Sequence, residues 1–406
     1  MAFFDLYYDN NGRLSFDNFV VGNSLSVPKK YWQKIVSNYD KDNIKWAVIR
    51  TARKFDLPIP TSHVEVGIYK AKKSFSSLIN LDTRKMVRRA LHGLRTKREY
   101  KWKVSDYYIR SGNLGNVSSD YFQRHNRMMA GSHKFKSPHD SWYNDDLLFY
   151  CLNALWSLKV KLINDRILYN CLALRQYAAS QFRCSAAKTI YELFNAKNVL
   201  DTSSGWGDRF CGFSAAACTK FYMGIDPNLR LGKGYFNQSK FYKSFKNKKS
   251  IFVGLPAEDF DITKGIGKFD LVFTSPPYFG TEKYSEEDTQ SWKRYTTKEA
   301  WLRDFLFPVL YMSWEALKIG GYLAMNIADL GVTFKEDYDV CDPMNDFIDS
   351  FQDSNYCGAI GLGLILRPHT LVGSKHKNLV EPIWVWKKGM PESIDNIVNN
   401  FKRNLA

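Results

Sequence analysis

Phe269-Asp270-Leu271-Val272-Phe273-Thr274 runs directly into Ser275-Pro276-Pro277-Tyr278. The first six residues are apolar enough on both faces to read as a buried strand. The two prolines then remove two amide donors and fix the backbone, so the strand stops there while its carbonyls remain as acceptors. Working outward, Asn198–Asp201, Phe221–Ile225 and Ser250–Val253 read as earlier strands, and Gly321–Ile327 as a later one. Phe210–Cys218 and Trp301–Leu317 read as helices between them. This alternation predicts an α/β, Rossmann-like domain with a mostly parallel sheet. Cys357–Arg367 and Pro382–Lys387 read as two further strands, paired antiparallel at one edge.

Each early strand ends on a loop with chemistry in it. Asp201-Thr202-Ser203-Ser204-Gly205-Trp206-Gly207 follows the first, and Gly205 and Gly207 allow a ligand close to the backbone. This is not the GxGxxG pattern of dinucleotide sites. Asp226-Pro227 follows the second strand; its carboxylate suits ribose hydroxyls, or equally a helix N-cap. Glu258, Asp259 and Phe260 follow the third, where an acid could accept an adenine amino group and a ring could pack on the base. At Ser275–Tyr278, the serine oxygen and the Pro276 carbonyl can accept both hydrogens of an amino group, and Tyr278 offers a face for stacking.

Taken in this order, residues 181–390 resemble the DNA amino-methyltransferases, which form N4-methylcytosine or N6-methyladenine. The resemblance implies S-adenosyl-L-methionine as cofactor. It places Phe182 and Arg183, within Gln181–Lys188, at the methionine end, with Asp201, Ser203, Gly205 and Gly207 as the cofactor loop. Asp226 and Pro227 match the ribose position, and Glu258, Asp259 and Phe260 the adenine position. Ser275, Pro276, Pro277 and Tyr278 match the catalytic motif, and Gly320-Gly321-Tyr322 through Asn326 a later strand. The serine form of the motif implies cytosine more often than adenine. Two features depart from the pattern. The loop reads Asp-Thr-Ser-Ser-Gly-Trp-Gly rather than Asp-Pro-Phe-x-Gly-Ser-Gly, and no target-recognition insert is visible.

The charge distribution supplies a candidate for that missing part. Of 406 residues, 58 are Lys or Arg and 41 Asp or Glu, a net charge of +17. Residues 1–180 hold 30 of these cations against 15 acids, and residues 181–406 hold 28 against 26. Residues 1–165 are therefore expected to form a basic, largely helical domain that contacts DNA, or RNA, and residues 166–406 the catalytic domain. Leu81–Trp102 has apolar spacing that predicts an amphipathic helix bearing Arg84, Arg88, Arg89, Arg95, Lys97 and Arg98. Such a face suits phosphate contact, and also simple solvation. Asp145–Ser180 reads as helical, and His125–His139 as a basic loop without a metal pattern.

The loop Phe279–Thr297, with Glu282 and Tyr284, is expected to cover the pocket. Seven cysteines without a CxxC pair argue against a zinc site or disulfide framework. Met1–Asn10 lacks the positive charge of a secretory leader, and no apolar run is long enough for a membrane span. The expectation is a cytoplasmic, soluble protein. Methylation of RNA or of a protein glutamine, and a nucleic-acid-binding module with a vestigial cofactor site, are the alternatives.

Overall fold

The computed structural model describes residues 12–60, 67–91, 93–110, 112–262, 269–329, 339–363 and 379–403. The amino-terminal residues 1–11 and positions 364–367 of the expected strand Cys357–Arg367 lie outside the described residues. Two compact units are present, and they are not consecutive in sequence. One comprises residues 1–67, 125–180 and 283–285; the other comprises 68–124, 181–282 and 286–406.

The first unit is largely helical. Helices Lys29–Asn38, Lys41–Lys54, Asp145–Leu152 and Asp165–Arg175 enclose a core that includes Phe16, Trp32, Val48, Trp142, Leu152 and Leu168. Asp40 caps the second of these helices by accepting the N–H groups of Asp42 and Asn43. The buried indole N–H groups are satisfied, Trp32 by the Val160 carbonyl and Trp142 by that of Leu57, each at 3.0 Å. Asp145–Ser180 is thus helical in segments, interrupted between Ser157 and Asp165.

The second unit is built on nine strands. They are β1 (Val87–Arg89), β2 (Val104–Ile109), β3 (Asn198–Asp201), β4 (Phe221–Ile225), β5 (Lys249–Val253), β6 (Phe269–Thr274), β7 (Leu317–Asn326), β8 (Ser354–Gly363) and β9 (Val380–Lys388). Their order is β1-β2-β8-β9-β7-β6-β3-β4-β5. Strands β3 to β7 are mutually parallel, and β9 runs antiparallel between β7 and β8. Ignoring β1, β2 and β9, this is the doubly wound order 3-2-1-4-5-6, which reverses direction between β3 and β6. Side chains alternate between two cores. Leu271, Phe273, Ala324 and Val385 face one, and Val272, Leu323, Met325 and Trp384 the other. Burial on both faces explains the continuous apolar runs in the sequence. Among the described residues no helix is long and apolar enough to cross a membrane.

Three expectations require correction. The antiparallel pair β8 and β9 does not close an edge of the sheet, because β2 pairs with β8 and β1 lies beyond it. Leu81–Trp102 is not a helix: a single turn at Thr83–Lys85 leads into β1, which pairs with β2 as Val87↔Ile109 and Arg88↔Tyr108. The supposed apolar stripe fails because Leu91 is 90% exposed, whereas pairing buries Val87 and leaves Arg88 and Arg89 outward. Nor does a cut at residue 165 separate the two units. Strand β2 hydrogen-bonds to β8, so residues 68–124 belong with the large sheet. That segment carries 14 Lys+Arg against 4 Asp+Glu, so most of the amino-terminal excess charge sits on the sheet-bearing unit.

Candidate active site

The order reversal brings two of the sequence motifs side by side. β3 and β6 are neighbours, with Val199↔Leu271 and Leu200↔Val272 in register. The Asp201–Gly207 loop and Ser275–Tyr278 therefore leave adjacent strand ends, at the point where doubly wound folds bind ligands. Asp226 ends the next strand on the other side, and Ser204 is tied to it through an N–H donated to the Ile225 carbonyl at 2.9 Å.

The two loop glycines serve different ends. Both have positive φ, 54° at Gly205 and 70° at Gly207, where a side chain is strained. A Cβ on Gly207 would lie 2.2 Å from Gln238 Oε1, so this glycine is demanded by packing. At Gly205 a built Cβ meets only the Ser203 carbonyl, at an ordinary contact distance of 3.8 Å, so nothing in the chain forbids a side chain there on packing grounds. The Gly205 N–H donates to Asp226 Oδ2 at 2.8 Å, and the Asn228 N–H to Asp226 Oδ1 at 3.0 Å. Burial pushes the Asp226 carboxyl up to about 6, against the pull of these two donors. Tyr235, stacked on Phe252 at 4.2 Å, donates its hydroxyl to the Gly205 carbonyl.

Asp201 is not exposed at these strand ends. Its fully buried carboxylate accepts from Arg209 Nε at 2.7 Å, from the Tyr222 hydroxyl at 2.7 Å and from the Ser203 N–H at 3.2 Å. Arg209 also donates to the Ser203 carbonyl. Burial and then the Asp201 charge push the Tyr222 hydroxyl well up, so it remains a donor. Asp201, Arg209 and Tyr222 brace the loop from beneath. Phe182 packs edge-on against Phe273 at 5.6 Å and under the Arg209 guanidinium at 5.5 Å, which sets it beside both motifs. Arg183 stands at the N-cap position of the following helix without a side-chain capping bond and is half-buried, as are Ser203 and Pro227.

Glu258 and Asp259 are also engaged. Arg294 reaches Glu258 Oε1 at 2.9 Å and grips both oxygens of Asp259 at 2.8 and 3.0 Å, while Tyr295 donates to Glu258 Oε1 at 3.0 Å. Glu258 Oε2 is buried without a partner among the described residues. Burial raises the Glu258 carboxyl. Phe260 packs at the margin of the core beneath. The loop that follows the Ser-Pro-Pro-Tyr motif thus returns to the turn after β5.

At the motif itself Pro276 is buried and Ser275, Pro277 and Tyr278 are half-buried. The Tyr278 N–H donates to Glu282 Oε2 at 3.1 Å, and its hydroxyl accepts the Ala328 N–H at 3.2 Å. Among the described residues the Ser275 hydroxyl has no hydrogen-bond partner, and Thr274 Oγ1 and Thr202 Oγ1 are buried without one. Tyr284 groups with the first unit.

The basic segment divides. Arg95 accepts the Val380 N–H on its carbonyl at 2.8 Å, the Lys97 charge opposes the burial that raises the Glu381 carboxyl, and Arg98 stands 4.0 Å from Asp329. The Tyr100 hydroxyl accepts the Asp329 N–H, next to the Ala328 N–H that holds Tyr278. Residues 95–100 therefore share the edge that carries Tyr278. Arg84, Arg88 and Arg89 do not. They lie at or beside β1, five strand intervals from β6, roughly 24 Å at the usual strand spacing. Arg84 is paired with Asp82 at 3.0 Å and Arg89 with Asp106 at 3.7 Å.

Asp226, half-buried with a single N–H on each oxygen, the uncrowded Gly205 and the orphaned hydroxyls at the strand ends fit a nucleoside-bearing cofactor; Asp201, fully buried, and Asp259, held at both oxygens by Arg294, do not contribute to that fit. The sequence reading missed Arg209, Tyr222, Tyr235, Arg294 and Tyr295. Only Arg209, eight residues after Asp201, was close enough in sequence to be noticed.

No family model matches the chain, and no curated protein does. Solved structures with some likeness include TrmN from Thermus thermophilus, at 11% identity over 51% of this chain and 49% of that one, TM-score 0.32. The chain thus spans about half the length of TrmN. N-methyltransferase NodS from Bradyrhizobium japonicum WM9 shows 11% identity over 50% and 95% of the two chains, TM-score 0.33. An rRNA methylase from Streptococcus thermophilus shows 11% over 52% and 100%, TM-score 0.32.

Proposed function

We propose that the second unit is an S-adenosylmethionine-dependent methyltransferase acting on the exocyclic amino group of a base in DNA, with N4 of cytosine as the first target and N6 of adenine the second. The observation that carries this reading is the juxtaposition, at the strand-order reversal, of the uncrowded Gly205 loop and the Ser275–Tyr278 turn. The bound cofactor would supply a methyl group on a sulfonium, with a neutral thioether as leaving group.

The residues of this chain then have separable tasks. Asp226 accepts from ribose hydroxyls, and Phe182 lines the methionine end. Thr202 and Thr274 offer hydroxyls to whatever polar groups enter at the two strand ends. The Ser275 hydroxyl and the Pro276 carbonyl accept the two amino hydrogens, which turns the nitrogen lone pair toward the methyl carbon. Tyr278, pinned at both its N–H and its hydroxyl, presents a fixed ring for the base to stack on. The N–C bond forms as the C–S bond breaks, and the nitrogen afterwards releases a proton to solvent. Rate comes from positioning and from polarising the amino group. A duplex substrate must extrude its base to reach this edge. Arg95, Lys97 and Arg98, on the same edge, would hold the flanking phosphates.

Transfer of labelled methyl from S-adenosylmethionine to DNA and, in parallel, to structured RNA tests the reading. Incorporation into DNA is expected. Incorporation into RNA alone would move the substrate, and none into either would overturn the proposal.

A further inference from the structure

A second cationic surface lies on the sheet-bearing unit, away from the basic amino-terminal segment. From Pro227 to Ala257 the chain has seven Lys or Arg residues and no Asp or Glu. The helix Gly232–Lys243 lies within this stretch and connects β4 to β5. Ser239 meets Ser250 at 2.7 Å, and Tyr235 stacks on Phe252, so one helix face covers β5. Lys233, Phe236, Lys240 and Lys243 are exposed on the other face, at helical spacing, and Phe236 is 69% exposed.

The row continues round the bottom of the sheet. The Lys220 N–H donates to the Lys197 carbonyl at 2.7 Å, and the Lys249 N–H to the Lys220 carbonyl at 3.1 Å. Lys197, Lys220 and Lys249 therefore stand at the starts of three neighbouring strands, about 5 Å apart. All three side chains are exposed, and among the described residues none is in an ion pair. Two carboxylates close to these strand starts have partners other than the three ammonium groups. Asp270 accepts the N–H groups of Lys197 and Asn198 and pairs with Lys318, and Glu192 accepts from Thr83 and Ala217. Lys248 is different: it donates to the Phe213 carbonyl at 2.9 Å and caps that helix.

We infer that this surface, the Lys233–Phe236–Lys240–Lys243 helix face continued by Lys249, Lys220 and Lys197, is a docking track for the phosphodiester backbone of a nucleic acid. The helix runs from the cofactor end of the sheet to its opposite end, about 18 Å for 12 residues. A duplex advances about 3.4 Å per base pair, so roughly five steps cover the track. Phe236 gives an unpaired base a ring to stack on.

The test is fluorescence anisotropy of a labelled DNA duplex and a labelled RNA hairpin across a salt series, without cofactor. The triple variant Lys240→Ala, Lys243→Ala, Lys249→Ala is compared with the native chain; these side chains are solvent-exposed, and circular dichroism checks the fold. Affinity should fall, and the log–log salt slope should drop by roughly 2 to 3, at 0.7–0.9 per phosphate contact. The RNA and DNA arms show which nucleic acid loses more. Unchanged affinity and slope on both probes would overturn the inference. So would loss of binding to phosphatidylserine vesicles with oligonucleotide binding intact. Track-dependent binding without methyl transfer would sink the proposed reaction and leave this surface standing.

Discussion

Asp201→Asn separates a brace from a ligand. The buried carboxylate holds Arg209 by two hydrogen bonds, at 2.7 and 3.2 Å, and accepts from Tyr222 and Ser203 besides. Its side chain is wholly inaccessible, and that of Arg209 is 7% exposed. Asparagine keeps one acceptor and turns an amide donor toward a guanidinium, which leaves a buried cation without its counter-charge. Breaking a buried pair in this way costs about 3–5 kcal/mol. With a large unfolding entropy for a chain of this size, that is a fall in Tm of about 5 °C. Adding Arg209→Met should recover part of the loss, because no lone charge then remains. Thermal and urea unfolding of the single and double variants, with isothermal titration of S-adenosylmethionine, give the comparison. An Asp201→Asn protein with native stability and abolished cofactor binding would refute the brace and restore Asp201 as a direct contact.

Three other outcomes follow from the same geometry. Cofactor affinity should fall as pH drops through about 6, where Asp226 takes up a proton, and Asp226→Asn should flatten that dependence in titrations between pH 5 and 8. The stability sign is opposite. The folded pKa lies above the ordinary 3.8, so the folded protein binds a proton first and this group's contribution to stability rises as pH falls from about 6 toward 4. Gly207→Ala should cost more stability than Gly205→Ala, because Gln238 blocks the first Cβ and nothing blocks the second; the shared left-handed strain is about 1–2 kcal/mol. Gly205→Ala should instead lose cofactor binding, and equal melting losses would count against the division of roles. Arg294→Ala, which frees Glu258 and Asp259, should speed cofactor release several-fold in stopped-flow measurements, and an unchanged off-rate would show that the returning loop is no cover.

The parallel strands were legible because burial on both faces leaves uninterrupted apolar runs; β3, β4 and β6 begin and end where the sequence placed them. Their end loops were legible for the same reason, since glycine, proline and acid follow each run at once. What sequence could not show was which oxygens those acids keep free. Asp201 meets Tyr222 only because β3 and β4 pair, and Asp259 meets Arg294 only because a loop 35 residues later returns. Residues 81–102 misled because arginines and leucines at helical spacing also fit a short edge strand and an irregular run, and the choice was made by the distant partner β8 through β2. The lysine track was hidden by averaging: residues 181–406 are nearly neutral as a whole, while Pro227–Ala257 carries no acid.

The most direct test of the central claim is the identity of the product. DNA incubated with the native chain and S-adenosylmethionine, digested to nucleosides and weighed by mass spectrometry, should contain N4-methylcytosine, and the Ser275→Ala, Tyr278→Ala double variant, folded and still binding cofactor, should give none. Methyl groups on carbon or phosphate, or the same product from the double variant, would contradict the account.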